Sequence, residues 1–122
     1  MESEVDLSAG KYNLMIEQGA KFGVQFTWQD KDGNPIDLSL WTGQIQFRES
    51  KDDTSILYDS DTAGDIVIGG VAGTVDFNLP TLTTTEFTFD DCLYDLELTD
   101  PDGEITRLVE GRVSLSKEVT KA

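Results

Sequence analysis

The feature that most constrains this chain is a pair of segments, residues 93–99 and 104–111, separated by a short turn. In the first segment apolar and polar residues alternate, and a period of two is typical of a strand that buries one face. In the turn, residues 100–103, Pro101 presets φ for a type I turn and Gly103 accepts the left-handed conformation that joins two antiparallel strands. A lone hairpin is only marginally stable in water, so the rest of the chain must supply a surface against which this hairpin packs.

The remainder of the chain contains further short segments of the same kind. Their apolar patterns predict strands over residues 12–17, 22–28, 41–48, 55–58, 66–68, 74–79 and 111–116. Residues 49–54 and 59–64 are predicted to be polar loops, and residues 81–86 to form a single helical turn. About eight short strands separated by turn residues predict an all-β antiparallel sandwich of two sheets, with a small closed barrel as the alternative.

The inward-facing positions of these strands define the predicted core. The core prediction comprises Phe22, Val24, Phe26, Trp28, Ile45, Phe47, Val75, Phe77, Tyr94, Leu96 and Leu98. Gly19, Gly33, Gly103 and Gly111 are expected at turns or strand kinks, where a positive φ or a close approach of another backbone favours glycine.

The length of 122 residues fits a single domain, which we assign to residues 11–120, preceded by a flexible arm over residues 1–10. The formal charge of −15, from 24 acidic and 9 basic residues, argues against binding to nucleic acid or to an anionic membrane surface. The sequence contains no run of 18 apolar residues and no signal-peptide pattern, so we expect a protein made in the cytoplasm.

Side chains that carry out chemistry are sparse. The sequence has no histidine, which removes the commonest general base and metal ligand, and its one cysteine, Cys92, is expected to be a small buried residue. Residues 30–34 resemble part of a calcium loop, but Pro35 stands where that loop requires glycine. Acidic clusters at residues 59–65 and 100–104 leave a cation site as an alternative to ordinary exposed turns. We therefore predict a non-enzymatic protein with no catalytic residue, no cofactor and no assigned metal ligand.

Aromatic residues offer a second class of ligand. Trp41 lies at a strand start and is expected to be half exposed, whereas Trp28 and Tyr94 are assigned to the core. A carbohydrate- or receptor-binding sandwich that uses Trp41 is therefore the alternative functional hypothesis.

A series of short motifs spans residues 11–120. The motifs are Ile16-Glu17-Gln18-Gly19 with Phe22 and Phe26, Asp32-Gly33-Asn34-Pro35-Ile36-Asp37-Leu38, Thr42-Gly43, Gln46-Phe47-Arg48, Tyr94-Asp95-Leu96-Glu97-Leu98, Gly103-Glu104-Ile105-Thr106-Arg107-Leu108, Gly111-Arg112-Val113 and Val119-Thr120. The series resembles a family of small tailed-bacteriophage virion proteins built on an immunoglobulin-like β-sandwich. It is also similar to the N-terminal domain of phage upper baseplate proteins. Because these motifs lie at turns and on strand faces, the resemblance specifies the fold better than the role.

The resemblance implies a structural protein of the virion, made in the host cytoplasm, that attaches to other virion proteins. The implied positions are the baseplate, tail or neck, or the head surface as a decoration protein, with association between copies in the particle as a further expectation. Upper baseplate proteins continue into long receptor-binding regions, whereas this sequence ends at Ala122, so a stand-alone module is expected. The candidate partner contacts lie in residues 1–10, which include Val5 and Leu7, in residues 49–60, which include Tyr58, and in residues 116–122, with Trp41 as a separate candidate.

Overall fold

The computed structural model describes residues 3–6 and 10–120 of the chain. The strands of this part are β1 (Ser3–Asp6), β2 (Leu14–Glu17), β3 (Phe22–Thr27), β4 (Thr42–Arg48), β5 (Tyr58–Asp59), β6 (Ile66–Ile68), β7 (Thr74–Leu79), β8 (Asp91–Thr99) and β9 (Ile105–Ser116). Between them lie two short helices, α1 (Ser60–Ala63) and α2 (Thr81–Thr85), and a 3₁₀ turn over Gly70–Ala72. In this part of the chain, no helix has the length and apolar character needed to span a membrane.

The strands form two sheets that pack face to face. One sheet has the order β1-β3-β7-β6 and the other the order β2-β9-β8-β4-β5. An immunoglobulin-like sandwich places its first, second, fifth and fourth strands in one sheet and its third, sixth and seventh in the other. When β2 and β5 are taken as additional edge strands, seven strands remain. Counted in chain order, the first, second, fifth and fourth of these (β1, β3, β7 and β6) form one sheet, and the third, sixth and seventh (β4, β8 and β9) form the other. The predicted all-β, immunoglobulin-like sandwich is confirmed.

Two edge pairings are parallel, although we predicted an antiparallel arrangement throughout. β1 runs parallel to β3, with Ser3 beside Val24, and β2 runs parallel to β9, with Leu14 beside Val113. Antiparallel neighbours follow from hairpins, whereas β1 and β2 reach their partners through long connections that leave the direction open. The four residues of β1, within the segment predicted to be a flexible arm, thus form a strand of the protein's own sheet.

Phe47 lies at the centre of the core. Its ring lies within 5.0–6.4 Å, between centroids, of the rings of Tyr58, Phe77, Phe87, Phe89 and Tyr94. Phe77 belongs to the four-stranded sheet and Tyr94 to the five-stranded sheet, so the aromatic cluster joins the two layers.

The alternating segments place their apolar residues largely in this core. Among the residues assigned to the core from the sequence, the buried ones are Val24, Phe26, Ile45, Phe47, Val75, Phe77, Tyr94, Leu96 and Leu98. Phe22 and Trp28 are only partly buried against the core. Leu38, Phe87 and Phe89 are buried as well, although they lie in connections where the alternation extends over only three residues.

Three local predictions differ from the structure. β9 is one continuous strand where we predicted two segments meeting at Gly111, because this glycine stays in the strand without a positive φ. The predicted loop over residues 59–64 contains α1, for which Asp59 supplies the N-cap and Gly64 the left-handed C-terminal residue. The strand predicted over residues 55–58 coincides with β5 at Tyr58 alone, since residues 55–57 are exposed and lie outside the ladder with β4, although the N–H of Leu57 donates to the carbonyl of Phe47 at 2.8 Å.

Candidate functional site

Three connections lie at one end of the sandwich, which we call the tip. The tip comprises residues 28–41, 69–73 and 100–104, which link β3 to β4, β6 to β7 and β8 to β9, together with Ile105 at the start of β9. The pairing of Thr27 with Thr74, and of Thr42 with Thr99, aligns the strand ends at this side. Loops that leave the aligned strand ends of a rigid sandwich are a usual place for binding residues.

Two turns of the tip share one sequence pattern and one set of hydrogen bonds. They begin at Asp30 and Asp100, and each follows the pattern Asp-x-Asp-Gly-x. In each turn, Oδ1 of the first aspartate accepts the backbone N–H groups two and four residues ahead, at 2.9–3.0 Å. The glycines, Gly33 and Gly103, have φ of +86° and +91° and donate their N–H groups to the first aspartate's carbonyl at 3.0 Å. Backbone groups thus satisfy the first carboxylate of each turn. Within residues 3–6 and 10–120, no group of three His, Cys, Asp or Glu residues is placed to hold a metal ion.

The first two connections of the tip are fixed to each other. The N–H of Trp28 donates to the carbonyl of Gly73 at 2.8 Å, and the N–H of Leu38 donates to the carbonyl of Gly70 at 2.9 Å. The Leu38 side chain is completely buried. Gly73 has a φ of +69°, and a Cβ at this position would lie 2.8 Å from the carbonyl oxygen of Trp28. Glycine is therefore required for the approach of the two connections, which together form a rigid base.

Leu40 adopts a backbone conformation that is rare for leucine. Its φ is +68°, the one positive φ outside glycine in the described part of the chain. It is the third residue of a turn closed by a 3.1 Å hydrogen bond from the N–H of Trp41 to the carbonyl of Leu38. Turns with a positive φ at this position normally use glycine or asparagine there, and the conformation costs other residues about 1–2 kcal/mol. Because the Leu40 side chain is 85% exposed, packing within the chain does little to offset this cost.

Further apolar side chains are exposed at the same end of the sandwich as Leu40. Val71 is 71% exposed in the connection between β6 and β7, and Ile105 is 63% exposed at the start of β9. A Cβ at Gly70 would lie 3.7 Å from Oγ of Ser39, so the residues preceding Val71 and Leu40 are close together. The tip therefore presents three large apolar side chains to solvent, two of which, Leu40 and Val71, lie on the base that is fixed by hydrogen bonds.

Acidic residues dominate the same connections. The carboxylates of the tip are Asp30, Asp32, Asp37, Asp100, Asp102 and Glu104, with Lys31 as the one cation, for a net charge of −5. Hydrogen bonds from the side chain and the backbone of Ser39 hold the pKa of the Asp37 carboxyl below its ordinary value. The tip is thus strongly negative at neutral pH.

A shallow concavity of about 220 Å³ lies on the outer face of β4, β8 and β9. Four of its charged side chains form two ion pairs: Nζ of Lys51 is 3.1 Å from Oε1 of Glu110, and Nε of Arg107 is 3.5 Å from Oδ2 of Asp95. The hydrogen bond from Lys51, with its positive charge, lowers the pKa of Glu110. These exposed pairs neutralise the face and contribute little to stability.

The nucleophilic side chains serve the core. Burial, more than the neighbouring carboxylates, raises the pKa of the Cys92 thiol to about 12. Burial is also the main cause that raises the pKa of Tyr58 and of Tyr94 above the ordinary range. The Tyr58 hydroxyl donates to the Asp65 carboxylate, and the Tyr94 hydroxyl donates to the carbonyl of Tyr12. These groups remain protonated at neutral pH and hold parts of the fold together.

The residues predicted as partner contacts fall in different places. Trp41 lies at the tip, partly buried, with its ring edge-on to that of Trp28 at a centroid distance of 5.7 Å. Tyr58 was wrongly expected at a contact surface, because it is 7% exposed and packs in the core. A short apolar run does not show which of its side chains face the core. Val5 lies in β1 at the edge of the four-stranded sheet, and Leu7 lies outside the described residues.

The exposed side chains of Leu40, Val71 and Ile105 were missed at the level of sequence. One signal was available, because the repeated Asp-x-Asp-Gly-x pattern marks two similar turns. A second was the placement of Leu40 and Trp41 within three residues of Leu38 in a polar connection, where one buried residue would be enough to anchor the loop.

Comparison with known proteins gives similarity in structure alone. No family model matches the sequence, and no curated protein matches it. The cysteine protease inhibitor EhICP2 from Entamoeba histolytica is similar with a TM-score of 0.47 and 9% sequence identity, over 93% of this chain and 94% of that chain. Extracellular domains 3–5 of Drosophila OTK are similar with a TM-score of 0.39 and 14% identity, over 84% of this chain and 32% of that chain.

Proposed function

We propose that this chain is a non-enzymatic structural component of a tailed-phage particle, which it joins through protein–protein contacts. The observation that carries the contact role is the tip, where three apolar side chains, two of them on a rigid base, are exposed among carboxylates. The virion setting is supported by the sequence motifs that resemble small phage virion proteins across residues 11–120. The proposal covers a baseplate, tail or neck component and a head decoration protein.

The arrangement of polar groups elsewhere agrees with a scaffold role. The outer face of the five-stranded sheet pairs its own charges, as in the contacts of Lys51 with Glu110 and of Arg107 with Asp95. The Cys92 thiol lies in the core with a raised pKa, so it is a poor nucleophile at neutral pH. A rigid sandwich of this kind presents loops to neighbours in a symmetric particle, where repeated weak contacts combine into a stable attachment.

The copy number of the chain in purified particles tests this proposal. Quantitative mass spectrometry, with the major capsid protein as the internal reference, measures it directly. Copies on the order of hundreds per particle place the chain on the head as a decoration protein, and a few dozen or fewer place it in the tail, neck or baseplate. Absence of the chain from purified particles overturns the proposal.

The partly exposed Trp41 favours glycan binding as a second candidate function. A Trp28→Phe variant leaves Trp41 as the sole tryptophan, so a change of its fluorescence on titration with glycans reports on this residue alone. Quenching of Trp41 by a glycan, together with loss of glycan binding in a Trp41→Ala variant, supports the second candidate. Glycan binding that is unchanged in Trp41→Ala eliminates it.

A further inference from the structure

We propose that the tip binds a basic surface of a neighbouring virion protein and that Leu40 inserts into an apolar recess of this surface. The inference rests on the proposed function and adds to it the contact residues and the chemistry of the partner.

The turn closed by Leu38 and Trp41 favours glycine over leucine at its third position, which Leu40 occupies. Glycine in the third position would form the turn closed by Leu38 and Trp41 without strain, whereas leucine with a φ of +68° is strained. The side chain is 85% exposed, so the chain alone gains little from it. Residues held in unfavourable conformations are concentrated at binding and switch regions. A partner that buries this side chain supplies the favourable apolar contact that the isolated protein lacks.

The surroundings of Leu40 match the anatomy of a protein interface. Val71 and Ile105 are exposed at the same end of the sandwich, and acidic residues occupy the connections around them. Protein interfaces typically combine a few apolar anchors at the centre with a polar rim. The hydrogen bonds that join Leu38 to Gly70 and Trp28 to Gly73 hold this surface in one shape before binding, which reduces the entropy that is lost on association.

The charge of the tip determines the kind of partner. Its net charge of −5 complements a surface rich in lysine and arginine, and it repels a second copy of a chain whose total charge is −15. The sheet face around Arg107 and Lys51 differs, because these two cations are paired with carboxylates of the same face. A basic protein surface with an apolar recess is therefore the occupant that fits both features of the tip.

The first experiment compares two leucine-to-glycine variants in assembled particles. Leu82 is the matched control, because it is 82% exposed in α2, which follows β7 at the end of the sandwich opposite the tip. Particles are assembled in cells that supply only the wild-type chain, Leu40→Gly or Leu82→Gly, and copies per particle are counted by mass spectrometry. We expect Leu40→Gly to lower the copy number about tenfold or more, and Leu82→Gly to leave it close to the wild-type value.

Stability measurements separate contact from folding. The urea midpoint of Leu40→Gly is expected to equal or exceed that of the wild type, because glycine relieves the turn. The midpoint of Leu82→Gly is expected to fall slightly, because glycine disfavours the helix. Leu40→Gly is therefore expected to lose incorporation without losing stability, and Leu82→Gly to lose stability without losing incorporation.

A second pair of variants tests the charge. The carboxylates of Asp32 and Asp102 do not accept the hydrogen bonds of the two Asp-x-Asp-Gly-x turns, so Asp32→Asn/Asp102→Asn leaves those bonds in place. Its control, Asp52→Asn/Glu86→Gln, removes two exposed charges from loops at the opposite end. We expect a lower copy number for the tip variant only. When particles are washed at rising salt concentration, we also expect the tip variant to lose a smaller fraction of its bound copies than the wild type loses.

The outcomes distinguish the two proposals. Wild-type particles that contain the chain, with Leu40→Gly incorporated at the wild-type copy number, overturn the tip as the contact and leave the structural role intact. Absence of the wild-type chain from particles overturns both. Self-association of the purified chain that Leu40→Gly abolishes, measured by analytical ultracentrifugation, identifies a second copy as the occupant and overturns the basic partner.

Discussion

Replacement of Gly111 by alanine is expected to destabilise the protein strongly, although the backbone at this position is not in a glycine-specific conformation. A Cβ at Gly111 would lie 2.1 Å from the carbonyl oxygen of Tyr12 and 2.8 Å from its carbonyl carbon. Real Cβ atoms essentially never approach other atoms within 3.0 Å, and both of these atoms belong to the backbone. The segment that leads into β2 must therefore move away from β9.

The size of the effect follows from the bonds that this movement disrupts. The N–H of Tyr12 donates to the carbonyl of Glu110 at 3.0 Å, and its own carbonyl accepts from the Tyr94 hydroxyl. The N–H of Arg112 donates to Oδ1 of Asn13 at 3.0 Å. A typical hydrogen bond contributes about 0.5–1.5 kcal/mol, so loss of these three bonds lowers the free energy of unfolding by about 2–4 kcal/mol.

Gly103→Ala is the matched control, because Gly103 has a φ of +91° and no atom within 4 Å of an added Cβ. Strain alone is expected to lower its free energy of unfolding by about 1 kcal/mol. Urea unfolding followed by the fluorescence of Trp28 and Trp41, with linear extrapolation, gives both values. A Gly111→Ala protein that is no less stable than Gly103→Ala would refute the close packing of this segment on β9.

Three further measurements test other parts of the structure. Tyr94→Phe is expected to lower the free energy of unfolding by about 1–3 kcal/mol, measured in urea, because the carbonyl of Tyr12 loses its partly buried donor; an unchanged value would contradict this bond. A thiol reagent at about pH 8 should label Cys92 only after urea unfolding, because the thiol is buried and its pKa is about 12; rapid labelling of the folded protein would show that the site opens. Lys51 lowers the pKa of Glu110, so their contact stabilises the protein above the unfolded pKa of that carboxyl and the contribution disappears as the pH falls through the lowered folded value. Lys51→Gln should therefore reduce slightly the loss of stability on acidification, and an equal loss in both proteins would exclude the contact.

The alternation of apolar and polar residues predicted the inner faces of the long strands, because side chains of a strand point to opposite sides in turn. Phe26 and Leu96 illustrate this, since both lie in alternating segments and are completely buried. The same rule carries no information about connections, where burial depends on what the loop packs against. Leu38 was therefore missed, and Tyr58 was placed on the wrong side. The parallel pairing of β1 could not be predicted either, because it depends on which sheet edge a distant segment reaches.

The candidate site was only partly visible in the sequence. The turn beginning at Asp100 was predicted with its glycine, and the similar pattern at Asp30 was assigned to a turn as well. That the two turns lie at one end of the sandwich follows from the pairing of the strands, which a one-dimensional pattern does not contain. The positive φ of Leu40 is a property of the folded connection, so leucine at this position gave no warning of strain.

The carboxylates of the two Asp-x-Asp-Gly-x turns have two separable roles. Asp30 and Asp100 accept backbone N–H groups and shape the turns, so their removal affects the fold. Asp32 and Asp102 donate their backbone N–H groups within the same turns, and their carboxylates contribute negative charge to the electrostatic field around the tip. Leu40 is similar in this respect, because its side chain is not needed for the turn that holds it. Contact and folding at the tip thus depend on different side chains, and for this reason substitutions there can remove the proposed contact while the sandwich stays intact.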